Sequence, residues 1–96
     1  MRPSQRLHSH RAAIRRVVAA HQASNARVFG SVAAGVDTDD SDLDILVDPT
    51  PETTLFDIGA IRFELAQLLG IRVDVLTPNG LPDHFREAAL AQALPV

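Results

Sequence analysis

The chain has 96 residues, which fits one domain over residues 1–96 and leaves no room for a second core. Its formal net charge is −3, and 46% of its residues are hydrophobic and 22% are charged. No apolar stretch approaches the roughly 18 residues of a membrane span, and the N-terminus does not resemble a secretory signal, so we expect no membrane contact and a cytoplasmic protein. The absence of Cys excludes disulfides and thiolate metal sites, and the acidic balance with only four aromatic residues, all Phe, argues against direct nucleic-acid binding.

The hydrophobic pattern predicts six secondary-structure elements. Apolar residues at helical spacing indicate helices, and alternating apolar and polar residues indicate strands. In chain order, the predicted elements are a helix over residues 7–21, strands over 26–29 and 42–47, a helix over 54–69, a strand over 71–76 and a helix that begins near 83. This order predicts an α+β fold in which helices cover a small sheet.

Local signals mark several element ends. Thr53 or Thr54 can cap the second predicted helix, whose apolar series is assigned to the core, and Gly70 favours the left-handed conformation that ends helices. Asp83 is a plausible cap for the last helix. Residues 94–96 are predicted to form an unprotected apolar tail that a partner could cover.

Six of the nine Asp residues lie between positions 37 and 48, and strand alternation decides which of them can act together. Side chains alternate across a strand, so Asp42 and Asp44 project from one face while Leu43 and Ile45 project from the other. Asp74 has the same relation to the apolar face of the third predicted strand. It joins the pair if the two strands are neighbours in the sheet.

Three clustered carboxylates repel one another, and a divalent cation would remove that repulsion. Oxygen ligands without Cys favour Mg²⁺ or Mn²⁺, and two carboxylates two residues apart can bridge a pair of ions about 3.5 to 4 Å apart. This geometry suits phosphoryl or nucleotidyl transfer. From spacing alone, a polar outer strand face remains the alternative for Asp42 and Asp44.

A calcium-binding loop is a further alternative, because Asp37, Asp39 and Ser41 occupy the first, third and fifth positions of an EF-hand and Asp48 the twelfth. The sixth position needs Gly and holds Asp42, and the flanks are predicted strands rather than helices, so this alternative is disfavoured. The acids that precede the strand are instead expected to form a solvated loop. The four His residues share no ligand spacing with the carboxylates and are assigned to the surface.

Gly30 and Ser31 supply the complementary half of a nucleotide site. Gly30 lets a phosphate approach the backbone, and Ser31 offers a hydroxyl and an amide to anionic oxygens. Residues 32–34 could continue as a helical turn with its N-terminus aimed at the anion. On its own, Gly-Ser after a strand indicates only a turn.

Taken together, three segments resemble the nucleotidyltransferase signature of the DNA polymerase β superfamily, and the short chain resembles its minimal nucleotidyltransferases. The segments are Phe29-Gly-Ser-Val-Ala-Ala-Gly35, Asp40-Ser-Asp-Leu-Asp-Ile-Leu-Val47 and Val73-Asp-Val-Leu-Thr77. The resemblance implies a polymerase β-like fold with a small mixed sheet. It also implies an antitoxin whose partner is a HEPN-domain ribonuclease toxin, and transfer of AMP from ATP to a tyrosine of that toxin.

The same resemblance implies a role for each matching residue. Asp42 and Asp44 would bind both Mg²⁺ ions, and Asp74 would bind the catalytic ion and help to deprotonate the acceptor hydroxyl. Gly30 and Ser31 would hold the triphosphate of ATP.

The Gly-Ser loop departs from many relatives, which carry an Arg there, whereas this chain has Val32 and Ala34. Neutralisation of the phosphates would then depend on the metal, the backbone, or an Arg from elsewhere such as Arg27 or Arg72. Two alternatives stay open. One is a binding-only antitoxin that occludes its toxin and has a weakened or inactive site, and the other is a nucleotidyltransferase for a small molecule, which needs an added acceptor-binding domain.

Overall fold

The computed structural model describes every residue from Met1 to Val96 as helices and strands joined by short turns. The helices are α1 (Pro3–Ser9), α2 (Arg11–Ala20), α3 (Gly30–Ala34), α4 (Leu55–Leu69), α5 (Asp83–Gln92) and a 3₁₀-helix (Pro78–Gly80). The strands are β1 (Ala23–Phe29), β2 (Leu43–Pro49), β3 (Val73–Leu76) and β4 (Leu94–Pro95). No helix has the length and apolar character that a membrane span requires.

The four strands form one mixed sheet in the order β3-β2-β1-β4. Strand β1 runs antiparallel to both β2 and β4, whereas β2 and β3 are parallel. Helix α4 therefore serves as the crossover between two parallel neighbours, as parallel strands require. The predicted α+β class with a small mixed sheet and flanking helices is confirmed.

The two faces of the sheet are covered unequally. Side chains of α1, α2 and α4 pack on one face around Leu43, Ile45 and Val47, and this larger core agrees with the predicted alternation of β2. A smaller cluster lies on the other face, where Leu46 is fully buried with Phe29 beneath Ala89 of α5. The acidic residues of β2 and β3 share this second face, so α5 covers only part of it.

The first predicted helix is divided in two at His10. The Nδ1 atom of His10 lies 2.9 Å from the carbonyl oxygen of Arg6 and donates a hydrogen bond to it. An uninterrupted helix would use that carbonyl to accept from the His10 amide, which instead bonds to Leu7. The side chain thus replaces the backbone donor, and the chain turns before Arg11.

Strand β1 begins three residues earlier than the pattern predicts. Asn25 has a positive φ of 53°, and the pairing with β2 shifts register between Ser24 and Arg27. This bulge interrupts the alternation on which the sequence prediction depends. The ends of α4 agree with prediction, because Thr54 and Asp57 form a capping box and Gly70 adopts the left-handed conformation.

The assignment of the whole apolar series of α4 to the core is wrong. Ile61, Leu65 and Leu69 are buried, but Leu55 is 89% exposed and Phe56 is 91% exposed. The buried residues recur every fourth position, so they form one stripe that faces the sheet. Ile58 packs at the margin of this stripe, whereas Leu55, Phe56, Phe63 and Leu68 are exposed to solvent.

The C-terminal segment is paired through its backbone, while the side chain of Leu94 stays 51% exposed, so the expected apolar end is protected only in part. Leu94 and Pro95 pair with β1 as strand β4, and the amide of Val96 donates to Ala26. Arg11 and Arg15 of α2 donate to the carbonyl oxygens of Pro95 and Val96. Backbone pairing with β1 therefore holds this segment at the sheet edge.

Asp37 is buried rather than part of a solvated loop. Its Oδ2 atom accepts a hydrogen bond of 2.9 Å from the amide of Ser4, which fastens the loop to the first turn of α1. Burial opposes ionisation, but the hydrogen bonds from Ser4, the Asp37 amide and the charge of Arg2 outweigh it and lower the pKa of Asp37. The second half of the twelve-residue segment is strand β2 and no second helix follows it directly, so the segment has no EF-hand geometry.

We expect Asp37→Ala to destabilise the protein by about 1 to 2 kcal/mol, because the Ser4 amide loses a charged acceptor. Because the pKa of Asp37 is lowered, its ionised carboxylate stabilises the fold above the ordinary value of 3.8, and this stability is lost as the pH falls through the lower folded value. Urea denaturation at neutral pH measures the difference. Asp40→Ala is the matched control, since Asp40 is exposed, and equal losses in both variants would contradict this role.

Candidate active site

The three carboxylates that the sequence singles out lie at neighbouring positions of β2 and β3. Asp44 and Asp74 are directly opposite each other in the parallel register, and Asp42 immediately precedes β2. Asp74 is exposed, while Asp42 and Asp44 are half-buried. The strand order thus brings together the acids that alternation places on one face.

The electrostatic effect of this arrangement is concentrated on Asp44. Burial, followed by the negative charges of Asp74 and Asp42, raises the pKa of Asp44 from 3.8 to about 6. A carboxylate surrounded in this way favours either a proton or a cation. Asp44 therefore lies between the other two acids, and its pKa is the one that their charges raise.

Gly30 directly follows β1, lies beside Asp44 and begins helix α3. Its φ is +70°, and a Cβ atom at this position would overlap Oδ2 of Asp44 and lie 3.4 Å from Cγ. Only glycine satisfies both conditions, since other residues strain in this conformation and would collide with the carboxylate. The predicted turn over residues 32–34 is part of α3, which ends at Gly35 in the left-handed conformation.

Asp42 contacts an Arg that the sequence suggests as a possible phosphate partner. The Nε atom of Arg72 lies 2.9 Å from Oδ1 of Asp42. The contact is an ion pair without a hydrogen bond, and this buried oxygen has no hydrogen-bond partner. Arg72 itself has a side chain that is 82% exposed, which leaves its remaining donors accessible to an anion.

Arg27, the other suggested cation, is committed elsewhere. Its Nη1 atom donates to Oδ1 of Asp48 over 3.0 Å and also to the carbonyl of Asn25. Asn25 donates to the second oxygen of Asp48, and this hydrogen bond, opposed by burial and aided by Arg27, lowers the pKa of Asp48. Asp48 shares the face of Asp44 by alternation, yet these partners hold it apart from the other acids.

The three acids offer the oxygen ligands that a hard cation prefers, but their carboxylates do not converge on one ion position. No group of three His, Cys, Asp or Glu side chains already has a metal-ligating arrangement. The crowded carboxyl of Asp44 is nonetheless a group that a cation would satisfy, and so is Oδ1 of Asp42, which lies beside the charge of Arg72 but accepts no hydrogen bond. Oxygen-only ligands of this kind fit Mg²⁺ or Mn²⁺.

Two cavities flank these acids on opposite sides. One, of about 550 Å³, lies at the open edge of β3, and its lining includes Asp42, Arg72, Asp74 and the aromatic ring of Phe63 from α4. The other, of about 310 Å³, lies between the end of β1 and α5 and includes Gly30. The sequence pattern indicates neither cavity, because both depend on how helices pack at the sheet edges.

The model of the nucleotidyltransferase domain family matches residues 11–95 of the chain. The chain belongs to the nucleotidyltransferase domain family. Among its relatives in Methanocaldococcus jannaschii, "Putative protein adenylyltransferase MJ0435" is 36% identical over 76 residues, which cover 79% of this chain and 82% of that protein. "Putative protein adenylyltransferase MJ0126" is 31% identical over 67 residues, covering 70% of this chain and 68% of that protein.

Solved structures agree with this assignment. A structure described as a putative minimal nucleotidyltransferase superposes with a TM-score of 0.86 and 41% identity, covering 97% of this chain and 95% of that one. A chain from a toxin-antitoxin crystal structure with AMP-PNP superposes with a TM-score of 0.71 and 16% identity, covering 97% of this chain and 71% of that one. The first confirms the nucleotidyltransferase fold, and the second shows the same fold at low identity.

Proposed function

We propose that this nucleotidyltransferase domain is an antitoxin that transfers AMP from ATP to a tyrosine of a partner HEPN-domain ribonuclease toxin. The observation that carries the proposal is the pairing of Asp44 with Asp74 beside Gly30, with the pKa of Asp44 raised to about 6. The names of the relatives support protein adenylylation. The neighbour that contains a toxin, an antitoxin and AMP-PNP supports a toxin partner and an adenine nucleotide.

The acids would hold Mg²⁺, with Asp42 and Asp44 binding two ions and Asp74 sharing the catalytic one. Bound there, Mg²⁺ would supply charge neutralisation at the phosphates and polarise the attacking oxygen. Gly30 and Ser31 would bind the triphosphate through the backbone, with Arg72 as the nearest exposed cation to the acids. The chain itself would thus position the phosphates between the Gly-Ser turn and the acids.

Asp74 is the acid best placed to receive the acceptor. It is exposed at the open edge of the sheet, on the side of Asp44 that is away from Gly30. Its carboxylate would orient the acceptor hydroxyl and take its proton as the oxygen bonds to the α-phosphorus and pyrophosphate leaves. Because the chain contains no Tyr, a tyrosine acceptor lies outside these 96 residues.

The exposed apolar side of α4 supports a protein partner. Leu55, Phe56 and Phe63 are 89%, 91% and 65% exposed, and Phe63 also lines the cavity that contains Asp74. Large apolar side chains grouped in this way mark protein interaction surfaces more often than isolated ones. A toxin that covers this side of α4 would lie close to the proposed acceptor position.

A binding-only antitoxin is the second candidate, and the contact between Arg72 and Asp42 favours it. An Arg that lies 2.9 Å from Asp42 competes with a cation for the same carboxylate. The loop of α3 provides no Arg of its own to attract a triphosphate. In this alternative, occlusion of the toxin is sufficient for neutralisation.

Incubation with a HEPN-domain toxin, ATP and Mg²⁺, followed by mass spectrometry of both chains, tests the proposal. We expect AMP on a tyrosine of the toxin and a loss of ribonuclease activity, and we expect Asp44→Asn to abolish the modification. Glu52→Gln is the matched control, because Glu52 lies in an exposed turn away from the sheet. A tight, unmodified complex that silences the ribonuclease would instead support the binding-only antitoxin.

A further inference from the structure

The cavity of about 310 Å³ between the end of β1 and α5 has no role in the site described above. It is lined by Phe29, Gly30, Phe85, Ala88, Ala89 and Gln92. Its volume is at the lower limit of the roughly 300 to 1,000 Å³ that ligand pockets occupy, so it fits part of a nucleotide rather than the whole. Gly30 lines this cavity and also lies beside Asp44, so the cavity adjoins the acids at Gly30.

We propose that this cavity, here called the α5 pocket, binds the adenine base of ATP, with Phe85 stacking on the base and Gln92 selecting it. The inference rests on the proposed function, since it assumes that the triphosphate lies against Gly30 and Ser31. A nucleotide held there by its phosphates has its base either in the α5 pocket or on the far side of the acids. The far side is the open edge of β3, where Asp74 needs room for the acceptor.

The side chains of the α5 pocket match the chemistry of a purine. Phe85 is 37% exposed, so part of its ring is available for stacking, and its ring is T-shaped to that of His84 at 5.2 Å between ring centroids. Gln92 is exposed and carries both a donor and an acceptor, the pair with which an amide bonds the edge of adenine. Ala88 and Ala89 are small, so the base can lie against the helix backbone.

The position of α5 is fixed by its buried side. Ala89 packs on Phe29 and Leu46 of the sheet, and Arg86 donates to the carbonyl oxygens of Pro78 and Leu81. These contacts fix the helix that carries Phe85 and Gln92 without using the side-chain amide of Gln92. The α5 pocket is therefore formed before any ligand binds, which reduces the entropic cost of binding.

Calorimetric titration of the whole chain with Mg²⁺ and three ligands, ATP, CTP and inorganic tripolyphosphate, tests the α5 pocket. We expect ATP to bind more tightly than tripolyphosphate. Phe85→Leu keeps an apolar side chain but removes the aromatic ring. It should lower the affinity for ATP by about tenfold or more and leave the affinity for tripolyphosphate unchanged. Gln92→Ala should reduce the preference for ATP over CTP, and it remains informative if Phe85→Leu folds poorly.

Leu90→Ala is the matched control, because Leu90 lies on α5 with 40% exposure but does not line the α5 pocket. It should bind all three ligands as the wild type does. Equal ATP affinity in the wild type, Phe85→Leu and Gln92→Ala would contradict base binding in the α5 pocket. It would leave the proposed function intact, because binding of the phosphates would persist. Failure of both ATP and tripolyphosphate to bind the wild type would contradict the proposed function and, with it, the base site.

Discussion

Replacing Asp44 with Asn is expected to abolish Mg²⁺-dependent nucleotide binding and to lower any transfer rate by about a thousandfold or more. Asp44 is the acid that both Asp42 and Asp74 surround, and its amide analogue removes the charge while keeping the shape. Titration of ATP with and without Mg²⁺ on the wild type and on Asp44→Asn measures the effect. Equal affinities in all four titrations would contradict a metal site at this position.

The same substitution is expected to stabilise the metal-free fold at neutral pH. The folded protein raises the pKa of Asp44 from 3.8 to about 6, so the folded state holds this proton more tightly than the unfolded state does. Stability of the wild type therefore falls as the pH rises from the lower value to the higher one, and the charged carboxyl opposes folding above it. The amide side chain of the Asp44→Asn variant does not titrate, so the variant avoids this loss.

Thermal unfolding in the presence of a chelator tests whether Asp44→Asn stabilises the metal-free protein. The melting temperature of Asp44→Asn should exceed that of the wild type above pH 6 and approach it below pH 3.8. Added Mg²⁺ should raise the melting temperature of the wild type only, because a ligand that binds the folded state stabilises it. A variant that melts lower than the wild type at neutral pH would show that the Asp44 charge is not repelled in the fold.

The alternation of β2 was sufficient to predict which acids share a face of the sheet. Leu43 and Ile45 point to the larger core, so Asp44 must occupy the opposite face, and the parallel register with β3 brings Asp74 to it. The sequence alone could not establish that β2 and β3 are neighbours. It also carried a signal that the prediction did not use, since Leu46 interrupts an otherwise acidic face and marks where α5 packs.

Other features depend on long-range packing that no local pattern encodes. Asp37 is 33 residues from Ser4 in the sequence, and only the fold brings its carboxylate to the amide of that residue. The contact between Arg72 and Asp42 requires the parallel register of two strands that α4 separates in the chain. The apolar residues of α4 look alike in the sequence, and the exposure of Phe56 follows from the direction in which the helix faces the sheet.

Gly30→Ala is expected to reduce both stability and nucleotide binding, and Gly35→Ala only stability. Both glycines have a positive φ, +70° and +75°, so each substitution introduces backbone strain of about 1 to 2 kcal/mol. At Gly35 a Cβ atom meets nothing within 4 Å, whereas at Gly30 it overlaps Oδ2 of Asp44. The difference between the two variants therefore measures the contact with the carboxylate, free of the strain that they share.

A double-mutant comparison isolates that contact further. Asp44→Ala leaves only Cβ at this position, 3.7 Å from the methyl group that Gly30→Ala adds, which is an ordinary van der Waals distance. In that background Gly30→Ala should cost no more stability than Gly35→Ala, as denaturation in urea would show, because only the strain of the positive φ remains. If Gly30→Ala is equally costly with and without the Asp44 carboxylate, the glycine serves the backbone alone. If the cost falls as expected, the absent Cβ of Gly30 is what lets the central acid of the site occupy its place beside α3.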